Sequence, residues 1–254
     1  MTKQSRVPVV ARLVALGLAK DASHARELID RRVVLAQGSV VDNASRLVAS
    51  GDSLVVNEPA RFVSRGGHKL DHALLQFKIE VTDKVVLDVG ASTGGFTDCA
   101  LQHGAAKVYA LDVGRTQLHE RLQSDPRVVV VEEFNARHLA DPERCREAGL
   151  PESFDLLVVD VSFISVARLS EQLASVLSQD SDLVVLIKPQ FEATKEEADR
   201  AAGVIESQEI HTRVISEVRQ SMADVSCDCL GVIESPITGS SGNTEFLAHF
   251  RMRS

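Results

Sequence analysis

Residues 84–96 read Lys-Val-Val-Leu-Asp-Val-Gly-Ala-Ser-Thr-Gly-Gly-Phe, an apolar run followed at once by a turn that contains three glycines. The apolar run is typical of a strand that is buried on both faces of a parallel sheet. Glycines let a chain turn sharply from strand into helix and bring backbone N–H groups close to a ligand. We therefore predict the first β–α turn of a doubly wound α/β sheet, holding a nucleotide-type cofactor.

The spacing within this turn distinguishes between cofactors. It reads Asp88-x-Gly90-x-x-x-Gly94, whereas a dinucleotide site reads Gly-x-Gly-x-x-Gly and a P-loop has Lys-Ser/Thr after its last glycine. An acidic residue before the glycines suits a positively charged ligand, such as S-adenosylmethionine, better than a pyrophosphate. The ribose of that cofactor requires a second carboxylate after the next strand. Asp112 ends the next apolar run, 22 residues beyond Gly90, near the roughly 20 residues typical of a ribose contact.

Further apolar runs extend this pattern through the chain. They predict strands at 107–112, 127–131, 154–160, 182–188, 226–235 and 244–250, and helices at 97–102, 165–177 and 206–222. Ligands collect at the carboxyl ends of strands in such sheets. Asp160 and Lys188 close two buried strands, and Asn135 follows another, where its amide could face an adenine ring. Lys188 could also simply exit to solvent, but Pro189 favours a constrained exit because the residue before a proline is held extended.

Composition narrows the class of protein. A length of 254 residues with 44% hydrophobic residues allows one large domain plus a small one, and no run of about 18 apolar residues marks a membrane span. The first six residues lack the apolar core of a secretory signal, so we expect a cytoplasmic protein. The four cysteines lack the spacing of a metal site, and we predict reduced thiols and no bound metal.

The N-terminal residues are positively charged on an otherwise acidic chain. Residues 1–60 hold 8 Lys/Arg against 6 Asp/Glu, whereas the whole chain has a formal net charge of −8. A locally positive surface is compatible with RNA binding, because phosphate contacts are local. Ordinary charge scatter on a solvated surface is the alternative.

The same region predicts a small α+β unit. Helices are expected at 10–18 and 23–30, and short strands at 33–35, 39–41 and 52–56. Ser23 is the predicted N-cap of the second helix. Residues 25–41 resemble the S4 RNA-binding fold, although Arg6-Val7-Pro8 stands where the family usually has Arg-Leu-Asp, and Gln37 where it usually has Asn. The resemblance implies a basic face that contacts RNA through Arg6, Arg12, Lys20, Arg31 and Arg32.

A short linker follows, interrupted by Pro59. The predicted boundaries are therefore 1–58 for the S4-like domain, 59–63 for the linker and 64–254 for the α/β domain. Lys69 lies near the start of the next amphipathic helix. A lysine there is usually a solvated surface group, but its place just before the cofactor strand, beside two glycines, makes it a candidate site residue.

Together these segments resemble the TlyA family, S4-containing rRNA methyltransferases with an FtsJ-type catalytic domain. The resemblance is carried by Ser64-Arg-Gly-Gly-His-Lys-Leu, Leu87-Asp-Val-Gly-Ala-Ser-Thr-Gly-Gly-Phe-Thr, Asp160-Val-Ser-Phe-Ile-Ser, Leu186-Ile-Lys-Pro-Gln-Phe-Glu and Ser235-Pro-Ile-Thr-Gly-Ser-Ser-Gly-Asn-Thr-Glu. It implies a Rossmann-like fold with a mixed seven-stranded sheet and helices on both faces. It also implies methyl transfer from S-adenosylmethionine to ribose 2′-hydroxyls of rRNA, typically of cytidines. Phe62 stands where the family's linker usually has Trp.

The resemblance carries the FtsJ-type catalytic tetrad onto Lys69, Asp160, Lys188 and Glu245. A ribose hydroxyl must lose its proton as it attacks the methyl group in line. Lys188, neutral beside a second cation, would accept that proton, and general-base assistance of this kind accelerates a reaction by ~10²–10⁴-fold. The two acids would hold the lysines. We expect the cofactor to be bound by Asp88, Gly90, Ser92, Gly94, Asp112, Asn135 and Asp160. Arg65 joins the residues expected to contact RNA, and no metal is required.

Three other interpretations stay open. Members of the family are often named hemolysins, which would mean a membrane-active protein, but no basic amphipathic helix of the kind that lies on membranes is evident. A non-catalytic RNA-binding protein with a degenerate methyltransferase domain is disfavoured by the retained tetrad. A Rossmann dehydrogenase is disfavoured by the glycine spacing. We expect a monomer whose partners are rRNA and ribosomal subunits.

Overall fold

The computed structural model describes residues 6–57 and 60–253. The chain separates into two compact units, Met1–Arg61 and Phe62–Ser254. The boundary between them falls within the linker predicted at 59–63, while Pro59 itself lies outside the described residues. Within the described ranges, no helix is both long enough and apolar enough to cross a membrane.

The first unit is a small α+β structure. Its elements are β1 (Arg6–Pro8), α1 (Val9–Ala15), α2 (Ala22–Asp30), β2 (Val34–Ala36), β3 (Ser39–Val40), β4 (Leu47–Ala49) and β5 (Leu54–Val56). β1 pairs with β4, and β2 lies between β3 and β5, all antiparallel. The N-cap prediction of Ser23 is wrong. Asp21 caps α2 instead, because its carboxylate accepts hydrogen bonds from the N–H groups of Ser23 and His24.

The second unit alternates helices and strands. Its elements are α3 (Gly66–Phe77), β6 (Val85–Val89), α4 (Gly95–Gln102), β7 (Lys107–Leu111), α5 (Glu120–Gln123), β8 (Val128–Val131), α6 (Pro142–Glu147), β9 (Phe154–Val159), α7 (Ser170–Ala174), β10 (Leu177–Ile187), α8 (Pro189–Glu192), α9 (Lys195–Arg200), α10 (Gln208–Asp224), β11 (Cys227–Glu234) and β12 (Phe246–Met252). Short 3-10 turns lie at Ala136–His138 and Val166–Leu169.

Seven of the described strands form one mixed sheet in the order β11-β12-β10-β9-β6-β7-β8. β12 is antiparallel to both of its neighbours, and the other pairs are parallel. Alternate residues of a strand face opposite sides of the sheet. Leu87 packs in a core cluster with residues of α7 and α10, whereas Val86 packs in a second cluster with residues of α3 and α4. The predicted fold class is therefore confirmed.

The helix predicted at 165–177 is wrong. The 3-10 turn and the short helix α7 occupy its place, and Leu177 already belongs to β10. Leu177 pairs with Phe154 of β9, and the register then shifts before Asp182 pairs with Leu156. This irregularity starts the strand five residues earlier than the apolar run 182–188 indicates, because the polar residues between them do not signal a strand.

Candidate active site

The crevice begins where β6 and β9 end side by side. Gly90 follows β6 and Asp160 follows β9, and the N–H group of Asp160 donates to the carbonyl of Val89 at 3.0 Å. A Cβ atom on Gly90 would lie 2.4 Å from the carbonyl oxygen of Asp160, and the φ angle of Gly90 is +87°. Glycine is therefore required here both for the backbone conformation and for the close approach of the two strand ends.

Two cavities meet at this point. The first cavity has a volume of about 510 Å³ and the second about 480 Å³. Gly90, Ser92 and Asp160 line both. Two ligands that bind in these cavities would therefore approach each other across the ends of β6 and β9.

Lys69 and Glu245 form an ion pair in the wall of the first cavity. The Nζ atom of Lys69 donates to Oε2 of Glu245 at 2.5 Å. Both side chains are largely removed from solvent, with exposed fractions of 11% and 3%. The backbone holds Glu245 as well, since its carbonyl accepts from the N–H group of Ser235 at 2.8 Å. Gly239 packs so closely on the Glu245 carboxylate that a Cβ atom there would lie 2.6 Å from Oε1.

Lys188 and Asp160 form a second ion pair on the same cavity. Their Nζ and Oδ1 atoms are 2.6 Å apart. Lys188 donates its hydrogen bond to Oγ of Ser162 at 3.0 Å. Its ammonium also lies 5.8 Å from the ring centre of Phe191. Lys188 thus ends its strand in a restrained position and does not exit freely to solvent.

All four predicted catalytic residues consequently line the first cavity. Arg65, the N-terminal flanking residue of α3, is exposed and lines it as well. Two ammonium groups and two carboxylates thus surround a space large enough for part of a polar substrate. Such groups can hold a hydroxyl, accept its proton and stabilise developing charge.

Asp112 and Asn135 line the second cavity. The two carboxylate oxygens of Asp112 accept hydrogen bonds from the N–H groups of Ser92 and Gly114, both at 2.8 Å. The Asn135 side-chain oxygen accepts from the N–H group of Arg137 at 3.1 Å. Apolar side chains, among them Phe134, cover much of the remaining wall. A carboxylate, an amide and an apolar wall together fit a nucleoside.

Asp88 and Gly94 are absent from the described residues that line the two cavities. Gly94 precedes α4 with a φ angle of +93°, and a Cβ atom there would lie 2.3 Å from the side chain of Leu122. Asp88 is fully buried within β6, and its Oδ2 atom accepts from the hydroxyl of Thr97 at 2.6 Å. Both residues therefore shape the turn from beneath it and do not face the cavities.

The electrostatics around Asp88 fit a cationic cofactor. Its Oδ1 atom is buried, with no hydrogen-bond partner among the described atoms. Burial raises the pKa of Asp88 to about 7, against the hydrogen bond from Thr97, and the nearby Asp160 and Asp112 charges raise it further. Asp112 and Asp160 themselves line the second cavity, so a cationic ligand such as a sulfonium would meet acidic groups there.

Three residues that sequence reasoning did not select belong to this region. Ser162 contacts Lys188, as described above. Phe163 is 91% exposed with a φ angle of +64°, lines the second cavity, and its ring lies 5.1 Å from that of Phe191. Glu192 accepts hydrogen bonds from Ser165 and Val166, while burial raises its pKa.

The basic residues predicted to contact RNA differ in their environment. Arg6, Lys20, Arg31 and Arg32 are exposed on the first unit. Arg32 lies 3.8 Å from Asp42 in an exposed ion pair. Arg12 is half-buried and donates to the backbone carbonyl of Ser50 at 2.8 Å. Arg12 therefore connects α1 to the segment after β4 and offers less of its guanidinium to a ligand than the other four.

One cysteine lies in a cluster of potential metal ligands, which spacing alone did not indicate. Cys99, Asp71 and His103 each place a ligand atom within 4.8 Å of the others. Nε2 of His103 and Oδ1 of Asp71 are 2.8 Å apart, at hydrogen-bond distance. The cluster lies between α3 and α4, and its three residues are not among the described residues of the cavity walls.

Comparison with known proteins agrees with this geometry. The FtsJ-like methyltransferase family model matches residues 62–252. The 16S/23S rRNA (cytidine-2′-O)-methyltransferase TlyA of Mycobacterium tuberculosis is 40% identical over 99% of this chain and 91% of its own length. Hemolysin A of Brachyspira hyodysenteriae is 38% identical over 92% and 95%. A solved structure from Streptococcus thermophilus, which carries the name hemolysin, matches with a TM-score of 0.71 and 36% identity over 99% of this chain and 90% of that one. The chain therefore belongs to the FtsJ-like methyltransferases, in the same family as these TlyA and hemolysin A proteins.

Proposed function

We propose that the protein transfers a methyl group from S-adenosylmethionine to a ribose 2′-hydroxyl of ribosomal RNA, at a cytidine. The observation that carries this proposal is the meeting of Lys69, Asp160, Lys188 and Glu245 around one cavity. This cavity adjoins a second one that fits a nucleoside. The name of the Mycobacterium tuberculosis relative, an rRNA (cytidine-2′-O)-methyltransferase, supports both the acceptor atom and the nucleotide.

The second cavity is the proposed cofactor site. Asp112 would accept hydrogen bonds from the ribose hydroxyls, and its carboxylate is already oriented by two backbone N–H groups. Asn135 would contact the adenine edge, with Phe134 against the ring. When bound, the cofactor supplies an electrophilic methyl group. Gly90 and Ser92 would contact the part of the cofactor that lies nearest the first cavity, and Asp160 would lie near the methionyl end of the cofactor.

The first cavity is the proposed site of the acceptor ribose. Lys188 would act as the general base and accept the hydroxyl proton at Nζ, an atom that Asp160 and Ser162 hold in place. General-base assistance of this kind contributes about 10²–10⁴-fold. Lys69, which is held by its ion pair with Glu245, would orient the hydroxyl oxygen. Correct positioning of the reacting atoms supplies much of the remaining acceleration.

Contacts outside the two ion pairs would select RNA. Phe163 presents an exposed aromatic ring in the wall of the second cavity, and single-stranded RNA is commonly held by stacking of its bases on such rings. Arg65 at the first cavity suits a phosphate. We infer that the first unit is an S4-like RNA-binding domain that uses the exposed Arg6, Lys20, Arg31 and Arg32. Its partners would be rRNA and ribosomal subunits in the cytoplasm, bound by a monomer.

Tritium transfer tests the proposal. Wild-type protein with methyl-labelled S-adenosylmethionine should label rRNA from cells that lack the gene, at a position that maps as a 2′-O-methyl nucleotide. Lys188→Ala should keep the Kd for the cofactor and lose at least about 10²-fold of the transfer rate. Lys195→Ala removes an exposed lysine of α9 and should retain full activity.

Two results would contradict the proposal. Full activity of Lys188→Ala would contradict the assignment of Lys188 as the base. If wild-type protein left the rRNA unlabelled, the proposed methyl-transfer function would be wrong. Dye leakage from liposomes on addition of the purified protein would instead support the membrane-active role that the name hemolysin suggests.

A further inference from the structure

Two segments of the chain bring Asp160 and Lys188 together. One is the 160–166 loop, which follows β9, and the other is α8, which begins directly after Lys188. Glu192, the last residue of α8, joins them. Its Oε2 atom accepts from the hydroxyl of Ser165 at 2.6 Å, and its Oε1 atom accepts from the N–H group of Val166 at 2.7 Å. Both carboxylate oxygens of Glu192 therefore bind the 160–166 loop.

These contacts continue a series that runs along both segments. Lys188 meets Asp160 and Ser162, Phe191 meets Phe163, and Glu192 meets the end of the loop. The contacts of Lys188 are made by a long side chain, and the ring of Phe163 is almost wholly exposed. Long or exposed side chains lose conformational entropy when they are ordered, so such contacts restrain a backbone weakly. Among the contacts between the two segments, the carboxylate of Glu192 holds the loop through the backbone N–H group of Val166 and the short side chain of Ser165.

The conformation of the loop requires such a restraint. Phe163 has a φ angle of +64°, which a bulky residue adopts only at a cost in free energy. Such strain persists where surrounding contacts over-determine the backbone. Glu192 is half-buried, and a carboxylate that loses solvation is costly unless hydrogen bonds compensate. The hydrogen bonds from Ser165 and Val166 provide this compensation, and the same two bonds restrain the strained loop.

We propose that Glu192 is a positioning residue for the methyl-transfer reaction. By binding Ser165 and Val166, it holds the 160–166 loop in the conformation in which Asp160 and Ser162 meet Nζ of Lys188. Glu192 is not among the described residues that line either cavity, so it would act through the loop and not on the substrate. This inference rests on the proposed function, because its kinetic consequence is defined by the methyl-transfer step.

The first experiment compares Glu192→Ala with Glu197→Ala. Glu197 lies on the adjacent helix α9, where it forms a capping box with the N-cap residue Thr194 and pairs with Arg213, so its loss is a matched structural control. At saturating S-adenosylmethionine and rRNA, Glu192→Ala should lower kcat by about 10- to 100-fold, because small displacements of reacting groups have effects of this size. Glu197→Ala should lower thermal stability and leave kcat within about two-fold.

A fluorescence measurement reports the loop directly. The chain contains no tryptophan, so Phe163→Trp places a unique fluorophore in the 160–166 loop. Time-resolved anisotropy without RNA should show added fast motion of this tryptophan when Glu192→Ala is introduced, and no change with Glu197→Ala. A residue that only adds stability would not move this signal in the folded protein.

Glu192→Gln keeps the side-chain size and one acceptor oxygen for the two donors. It should give an intermediate kcat, and it serves the same comparison if the alanine variant does not fold. An active wild type whose Glu192 variants keep full kcat and an immobile tryptophan would overturn the role of Glu192. A wild type that transfers no methyl group would overturn the proposed function and the kinetic role with it, while the anisotropy would still show whether Glu192 holds the loop.

Discussion

Nζ of Lys69 lies 2.5 Å from a carboxylate oxygen of Glu245, although 176 positions separate the two residues in the sequence. Lys69 comes from α3, and Glu245 comes directly before β12. β12 lies beside β10, the strand that ends directly before Lys188. The antiparallel strand β12 thus brings the Lys69–Glu245 ion pair to the same cavity as the Lys188–Asp160 ion pair. Because water is largely excluded here, either charge of the Lys69–Glu245 pair would be costly to bury without the other.

Removal of Lys69 alone should therefore destabilise the protein. Lys69→Met leaves the buried charge of Glu245 unpaired, and we expect the free energy of unfolding to fall by about 3–5 kcal/mol. Adding Glu245→Gln removes that charge and should restore most of the loss. Neither variant should transfer a methyl group. Urea denaturation and the tritium assay measure the two effects separately, and a double variant as unstable as Lys69→Met would contradict the pairing.

The turn after β6 makes a second prediction through Gly90. Gly90→Ala requires an alanine at positive φ, which costs about 1–2 kcal/mol, and also a Cβ atom 2.4 Å from the carbonyl oxygen of Asp160. Gly149→Ala has the same conformational cost, with φ at +72°, but no described atom within 4 Å of the added Cβ. Urea denaturation should therefore show a larger loss of stability for Gly90→Ala.

The two glycine variants should also differ in cofactor binding. The new Cβ atom at position 90 forces the ends of β6 and β9 apart, which displaces residues that line both cavities. Isothermal titration with S-adenosylmethionine should show weakened binding for Gly90→Ala and unchanged binding for Gly149→Ala. Equal Kd values for the two variants would mean that the close approach of Gly90 and Asp160 is not needed for the site.

The sequence predicted best where the signal is local. The glycine turn, the strand that precedes it and the acidic residue after β7 lie within 30 residues, and apolar runs mark the central strands. The partnership of Lys69 with Glu245 has no such signal, because it depends on where β12 inserts. The resemblance to a known family could assign both residues to one site, whereas their spacing in the sequence could not.

The positions of two acidic residues could be read from the sequence only in part, for different physical reasons. Asp88 is predicted to contact the cofactor, and the structure places it inside β6, where strict alternation turns its side chain toward Thr97 of α4. The same alternation could have been read from the strand. Glu192 was missed for a different reason. Its partners Ser165 and Val166 lie 26 or more positions away, in a segment wrongly expected to be helical.

Phe163 makes a third prediction, on RNA recognition. Phe163→Ala should lower kcat/KM for rRNA by roughly 5- to 150-fold, since stacking of a base on an aromatic ring contributes about 1–3 kcal/mol. Phe163→Trp keeps an aromatic face and should retain most of the activity. Leu75→Ala removes an exposed apolar side chain of α3 and serves as the control. If Phe163→Ala and Leu75→Ala gave the same kcat/KM, the ring would have no part in binding RNA.

Asp88 makes the fourth prediction, on the dependence of stability on pH. Burial raises its pKa in the folded protein from 3.8 to about 7, so the folded state holds this proton more tightly than the unfolded state does. The stabilisation from this proton is complete below pH 3.8 and is lost as the pH rises toward 7. Asp88→Asn is neutral at every pH, and its oxygen can still accept from Thr97.

The stability of Asp88→Asn relative to wild type should therefore increase with pH. The slope of this difference should be about 1.4 kcal/mol per pH unit between roughly pH 4 and 7, and it should level off above that range. Because the other titrating groups are common to both proteins, subtraction isolates Asp88. Urea denaturation of both proteins at pH 4.5, 6 and 8 measures it. Parallel stability curves would mean that Asp88 is ionised throughout, and that its buried Oδ1 atom has a partner in solution.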